Sequence, residues 1–299
     1  MKTRKDDLLN HLICPDCRKP IEIVDGNTLM CTGCRRNFSR SGEVINMLPH
    51  QMKRNSEDFA WKTLPYEGAD KPDWMALLHK KDRLLYFYER ILPEVDFDGK
   101  ILEIGAGSCW ASALIKKKHP ENLVVASDIS PFALGKGVKV SRLLDSGVDY
   151  YVACNAECLP FSDEYFDVVF SNATIHHFSD PRMGIQEMRR VLKKCGKCYA
   201  LGEVASGALF KAILTSRMGP AGKRARSLKI EENIYSLNEW KAYFRNCGFK
   251  DVQVSFDKTW EHKLYHWLTA LYYRILSTIP DLIIDNFLPC NIDIYAIKT

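Results

Sequence analysis

The apolar stretch Lys100-Ile-Leu-Glu-Ile104 runs straight into Gly105-Ala-Gly107-Ser-Cys109, then into a segment with Ala111, Leu114 and Ile115 on one helical face. Strand, glycine turn and helix in that order open a nucleotide-binding βαβ unit, because glycines let the backbone pass where a Cβ would strike a ligand. A lone Gly-x-Gly says little. Here a second strand, Leu123 to Ser127, ends in Asp128. That acid lies about twenty residues past the glycines, the distance at which a carboxylate reaches ribose hydroxyls.

The alternation continues. Tyr150-Tyr-Val-Ala153 leads into Cys154-Asn155-Ala156-Glu157-Cys158-Leu159-Pro160-Phe161, and Phe166 to Phe170 leads into Ser171-Asn172-Ala-Thr-Ile-His176-His177. A helix over Pro181 to Leu192 and a fifth strand over Lys197 to Leu201 follow. This pattern predicts an α/β fold, a Rossmann-like and mostly parallel sheet with helices on both faces and ligands at the strands' carboxyl ends. The first turn lacks the Gly-x-Gly-x-x-Gly form, which disfavours a dinucleotide enzyme.

On these motifs, residues 99 to 202 resemble the class I (Rossmann-fold) S-adenosylmethionine (SAM)-dependent methyltransferases of the ubiquinone/menaquinone-biosynthesis type. The resemblance implies that Glu103, Gly105 and Gly107 surround the methionine end of SAM. It places Asp128 on the ribose hydroxyls, Ile129 under adenine, and Asn155, Ala156 and Glu157 at a motif usually written Asp-Ala-Glu. Ser171 and Asn172 would lie near the sulfonium. Leu237 to Phe249 looks like the family's late helix, and Val252 to Phe256 and Ile292 to Ile297 like its last antiparallel strands. Two positions depart from the pattern. Cys109 replaces the third glycine, and cysteine is small enough for the turn to survive. Asn155 replaces an acid, but its amide can still accept from and donate to adenine.

Ahead of this domain stand two knuckles, Cys14-Pro-Asp-Cys17 and Cys31-Thr-Gly-Cys34, separated by thirteen residues. Paired CxxC turns at such spacing are a tetrahedral zinc signal, and four cysteines leave no open position, so the metal is expected to be structural. The stretch Ile21 to Met30 reads as a hairpin turning at Asp25-Gly26-Asn27. Residues 12 to 49 resemble the zinc ribbon of small methyltransferase activator subunits and the zinc finger that leads bacterial rRNA guanine methyltransferases. The expected organisation is a ribbon at 1–49, a helical connector at 50–98 and the methyltransferase domain at 99–299, with insertions at about 203–235 and 259–290.

Eleven cysteines, an odd number, with no leader-like apolar segment argue against a secreted disulfide scaffold, so a cytoplasmic protein is expected. The apolar stretch Leu264 to Leu288 carries Arg274, Pro280, Asp281 and Asp285, which makes it a poor spanning helix. In the connector, Trp74, Leu77, Leu78, Lys81, Leu85, Tyr88 and Ile91 fall near one helical face, read mainly as core, while Trp61, Tyr66 and Trp74 are candidates for a substrate entrance.

Methyl transfer from a sulfonium is an in-line displacement, so the main task is alignment in a dry pocket. A base helps where the nucleophile must lose a proton, and His176 and His177 are placed for it; the alternative is that they cap or pack the turn. Glu203 shares the same rim. Lys211, Arg217, Lys223, Arg224, Arg226 and Lys229 form a run that would either grip an anion or cover a solvated lid. Leu264, Trp267, Leu268, Leu271, Tyr272 and Ile275 stripe another helix, read as core or as a pocket cap. Three functions follow: methylation of a small-molecule, sugar or lipid-linked acceptor; methylation of rRNA or tRNA, with the ribbon holding nucleic acid; or a non-catalytic SAM-binding scaffold whose ribbon recruits a protein partner. The first is favoured. The paired knuckles predict about one equivalent of zinc per chain in metal analysis of purified protein, against less than about half an equivalent if they hold none.

Overall fold

The computed structural model describes residues 8–50, 52, 56–207, 230–256 and 290–299, with isolated positions between 211 and 228 and at 271, 275 and 278. Five parallel strands carry the architecture: β5 (Lys100–Ile104), β6 (Leu123–Asp128), β7 (Tyr150–Ala153), β8 (Phe166–Asn172) and β9 (Leu192–Ala205). The late strands β10 (Phe249–Phe256) and β11 (Cys290–Lys298) complete one side of the sheet, β11 antiparallel to both β9 and β10. Helices α5 (Trp110–Lys118), α6 (Pro131–Leu143), α7 (Pro181–Val191) and α8 (Leu237–Asn246) connect them. β6 is buried along its whole length, as expected of a strand covered on both faces.

The N-terminal strands β1 (Ile21–Ile23), β2 (Thr28–Cys31), β3 (Asn37–Ser41) and β4 (Val44–Asn46) form a meander that continues the same sheet. β4 pairs in parallel with β7, matching Val44 to Tyr151, Ile45 to Val152 and Asn46 to Ala153. The order across the sheet is β1-β2-β3-β4-β7-β6-β5-β8-β9-β11-β10. Leu12, Phe38, Ile45 and Met47 share one core with Val152, Leu159 and Phe161. The ribbon is therefore bound to the sheet by both a hydrogen-bonded ladder and buried apolar surface.

Between ribbon and β5 lie α1 (Ser56–Thr63), α2 (Trp74–His79), α3 (Lys81–Tyr86), a π turn at Phe87–Ile91 and α4 (Leu92–Glu94). The expected single helix with one core face is not formed. Trp74, Leu78, Leu85 and Tyr88 are exposed, and the buried contacts come from Ala76, Tyr86, Phe87 and Ile91. Splitting the segment into short pieces turns the apolar stripe outward, and the π turn shifts which residues face the sheet. Phe87 meets Trp110 edge-on, and Phe97 does the same with Phe170, anchoring the segment to the sheet.

The turn after β5 explains how Cys109 fills a glycine position. Cys109 sits at the start of α5 with φ 55°, in the left-handed region. That conformation costs a non-glycine residue about 1 kcal/mol or more. Its fully buried thiol occupies space that α6 leaves open at Gly137, where a Cβ would lie 2.3 Å from the Cys109 sulfur. The missing third glycine is thus compensated by a glycine on the neighbouring helix. Gly137→Ala is expected to lower stability by about 1–3 kcal/mol through overpacking. Adding Cys109→Gly should recover most of that loss in thermal unfolding; an equal loss in both backgrounds would refute the coupling.

Candidate functional site

The carboxyl ends of β5, β6, β7, β8 and β9 open into a cavity of about 1020 Å³, with α1 to α3 on its far side. Its lining includes Glu103, Gly105, Gly107, Ser108, Asp128, Ile129, Asn155, Ala156 and Glu157, together with Asn172, Thr174, His176, His177, Gly202 and Ile230. Gly105 and Gly107 have φ of 66° and 52°, which only glycine adopts without strain. A Cβ on Gly107 would lie 2.6 Å from the indole of Trp61, so the cap closes directly onto the turn. Of the three connector aromatics considered as entrance residues, Trp61 lines the cavity, whereas Tyr66 and Trp74 are outward and exposed.

Asp128 is buried and accepts from the Gly107 N–H at 2.8 Å and the Ser130 N–H at 2.8 Å. Burial raises its pKa, the two N–H bonds lower it, and the nearby Asp58 carboxylate raises it again, leaving it at about 6. Glu103, also buried, accepts from the Ser112 N–H at 3.0 Å and from the Ser112 hydroxyl; burial dominates and lifts it to about 8. Asn155 uses its amide oxygen to accept from the Glu157 N–H at 2.9 Å, which leaves the amide NH₂ as its donor toward a ligand.

Two expectations change here, and one residue is new. Ser171 is fully buried and does not line the cavity, because strand alternation turns it away from the face that Asn172 presents. Glu157 reaches the cavity wall but its carboxylate accepts from the Asp180 N–H at 2.9 Å, so it fixes the start of α7. Arg83 on α3 was not anticipated. It donates to the Asn172 amide oxygen from Nε at 3.1 Å and Nη2 at 2.9 Å, and packs on Gly202. Its segment carries no motif, and only the three-dimensional arrangement brings it to the strand ends.

His176 and Glu203 form a buried pair, Nδ1 to Oε2 at 2.7 Å. Glu203 also accepts from the N–H groups of Thr174, Ile175 and His176 at 3.0, 3.0 and 3.3 Å. Burial alone would raise its pKa; the His176 ring and these N–H bonds outweigh it and hold the carboxyl below its ordinary value. With Glu203 ionised, Nδ1 of His176 is the donor in this bond. His177 lies alongside, ring centroids 4.1 Å apart, with Nδ1 bonded to the Glu231 carbonyl at 2.7 Å. Ligand atoms of His176, His177 and Glu232 lie within 4.8 Å of one another, but Glu232 also stands 3.6 Å from the Nδ1 of His177, as an ion pair would.

Away from the cavity, the Sγ atoms of Cys14, Cys17, Cys31 and Cys34 lie within 4.8 Å of one another. Cys17 and Cys31 are 3.3 Å apart, and the N–H groups of Gly33 and Cys34 point at the Cys31 sulfur at 3.3 and 3.4 Å. Four thiols converging on one point, with N–H donors directed at a sulfur, fit a tetrahedral metal. Of the basic run, Lys211 pairs with Glu239 at 3.1 Å and stands over the Tyr235 ring; Arg217, Arg224 and Lys229 lie outside the described residues, as do Leu264, Trp267, Leu268 and Tyr272. Among the described residues, no helix is long and apolar enough to cross a membrane.

Comparison with known proteins agrees with this geometry. Residues 102–200 match a family described as a methyltransferase domain. The chain is 31% identical over 161 residues to the chloroplastic 2-methyl-6-phytyl-1,4-hydroquinone methyltransferase of Arabidopsis thaliana, covering 52% of this chain and 42% of that protein. It is 36% identical over 105 residues to the ubiquinone/menaquinone biosynthesis C-methyltransferase of Stenotrophomonas maltophilia, covering 34% and 41%. The chain thus spans less than half the length of these curated relatives. In fold it is similar to a chain of the Haloferax volcanii complex between the Trm112 methyltransferase activator and a methyltransferase (TM-score 0.55, 15% identity, 82% of this chain and 98% of that one). It is similar also to phosphoethanolamine N-methyltransferase 2 of Haemonchus contortus (TM-score 0.55, 16% identity, 84% and 61%). Residues 102–200 thus carry a methyltransferase domain.

The Asp128 pKa of about 6 sets a testable pH dependence. If the ionised carboxylate takes both ribose hydroxyls, as the resemblance implies, affinity for SAM should hold above pH 6 and fall about ten-fold per unit below it. Asp128→Ala should lower affinity about ten-fold or more at pH 7.5 and flatten the profile. Calorimetry across pH measures both; a mutant with wild-type affinity would contradict the assignment.

Proposed function

We propose that the protein transfers the methyl group of SAM to a small-molecule acceptor, sugar or lipid-linked compounds included, enclosed between the strand ends and the α1–α3 cap. The single observation that supports this most is the shared cavity. Its volume is at the upper end of the range for small-molecule sites, room for a cofactor and a compact acceptor side by side. Glu103, Gly105, Gly107, Asp128, Ile129 and Asn155 would hold SAM, and Asn172 would lie beside the reacting methyl. SAM supplies an electrophilic methyl on sulfonium; the protein aligns the acceptor and excludes water. The hydroquinone named for the Arabidopsis relative is one acceptor of the proposed class.

Where the nucleophile is a hydroxyl, it must lose a proton as the C–O bond forms. His176 takes that proton on Nε2, and Glu203 stabilises the imidazolium through the 2.7 Å bond to Nδ1. The ribbon cysteines would hold a structural zinc. An RNA acceptor is less well supported, since Lys211 is engaged by Glu239.

Incubating cell extract with tritiated SAM and the protein, then separating RNA, protein, lipid and small-molecule fractions, tests the acceptor class. Label in the lipid or small-molecule fraction is expected; label confined to RNA would overturn the proposal. With the acceptor in hand, Glu203→Gln should slow turnover about 100-fold and leave cofactor affinity unchanged. An unchanged rate would remove the base role.

A further inference from the structure

The segment that follows β7 carries Asn155, Ala156 and Glu157 along the cavity wall, and the ribbon grips that segment. Residues 11–13 run antiparallel to 160–162: the Ile13 N–H donates to the Pro160 carbonyl at 3.0 Å, and the Ser162 N–H to the His11 carbonyl at 2.9 Å. Upstream, the Met47 N–H donates to the Ala153 carbonyl at 2.8 Å and β4 pairs with β7. A ribbon side chain, Arg18, the residue after Cys17, also hydrogen-bonds to this segment. Its Nη1 donates to the Leu159 carbonyl at 3.1 Å and to Glu187 Oε2 at 3.0 Å. The same Glu187 oxygen accepts from the Leu159 N–H at 2.8 Å. Leu159 is thus held at both its N–H and its carbonyl.

The knuckle determines where Arg18 stands. Arg18 has φ 62°, and its N–H donates to the Cys14 carbonyl at 2.9 Å, which closes the turn spanning Cys14 and Cys17. A metal on those two thiols fixes that turn. Arg190 of α7 also donates to the Leu159 carbonyl at 3.0 Å and the Phe161 carbonyl at 2.7 Å, so the segment keeps other holds when Arg18 is lost.

We propose that Arg18 is a positioning residue for the cofactor site, through which ribbon metal and SAM bind with positive coupling. The inference rests on the cofactor assignment above, and needs no acceptor. A knuckle closed by metal directs Arg18 onto Leu159, and the ordered 155–162 segment presents Asn155 to the adenine. By linkage, whatever factor the metal adds to cofactor affinity, the cofactor adds to metal affinity.

The test uses the full chain with its ribbon metal in place and S-adenosylhomocysteine as the probe. Calorimetry on wild type, Arg18→Lys and Arg18→Ala measures cofactor affinity. A chromogenic chelator measures zinc release with and without the probe. Arg18→Ala should bind S-adenosylhomocysteine about five-fold more weakly, at the lower end of typical coupling, with zinc content unchanged. Arg18→Lys, which keeps a charged donor, should recover part of that. In wild type the probe should slow zinc release severalfold, and in Arg18→Ala it should not. A general loss of stability would lower the unfolding temperature without abolishing the probe's effect on release, and that outcome would overturn the proposal. Wild-type affinity in Arg18→Ala would overturn it as well. Failure of wild type to bind the probe would instead overturn the cofactor assignment, and this inference with it.

Discussion

The parallel pairing of β4 with β7 governs how the molecule is put together. A parallel sheet has open edges, and an exposed edge invites pairing with other chains. Here the β7 edge is covered from within the same chain by the ribbon meander, and the ribbon shares its apolar core with the strands that carry the site. Small metal-bound modules have little core of their own. Joining the sheet gives the ribbon a second source of stability and makes the strand between ribbon and cavity common to both.

Two buried carboxylates illustrate how position alone sets chemistry. Glu103 and Glu203 are both removed from solvent, at the ends of strands on the same sheet. Glu103 meets one serine, and burial pushes it up to about 8. Glu203 meets an imidazole and three backbone N–H groups and stays below its ordinary value. The burial cost of an ionised carboxylate is several kcal/mol, and only the second environment offsets it. The carboxylate kept ionised is the one bonded to His176, which lines the cavity.

Much of this was legible in the sequence. The limits of β5 and β7 read off directly, because short apolar runs were bounded by glycines, acids and turn residues. The same holds for the glycine turn and for Asp128. The cysteine spacing predicted a converging thiol cluster. What was not legible depended on partners distant in the chain. Nothing near Cys109 announces that Gly137 makes room for it. Arg18 and Arg83 carry no motif and act from a knuckle and a short helix. The apolar stripe from Trp74 to Ile91 had helical spacing, but spacing cannot tell which face finds a partner, and several of its residues are exposed. The resemblance implies Ser171 beside Asn172 near the sulfonium, but adjacent strand residues point to opposite faces.

The central claim is that a SAM-type cofactor lies across the ends of β5, β6 and β7 with its sulfur toward Asn172. A crystal structure of the full chain grown with S-adenosylhomocysteine tests it most directly. The account predicts density with both ribose hydroxyls on the Asp128 carboxylate, adenine over Ile129 beside the Asn155 amide, and sulfur at the Asn172 end, next to His176. Density for the nucleoside elsewhere in the cavity, or a ribose out of reach of Asp128, would contradict it.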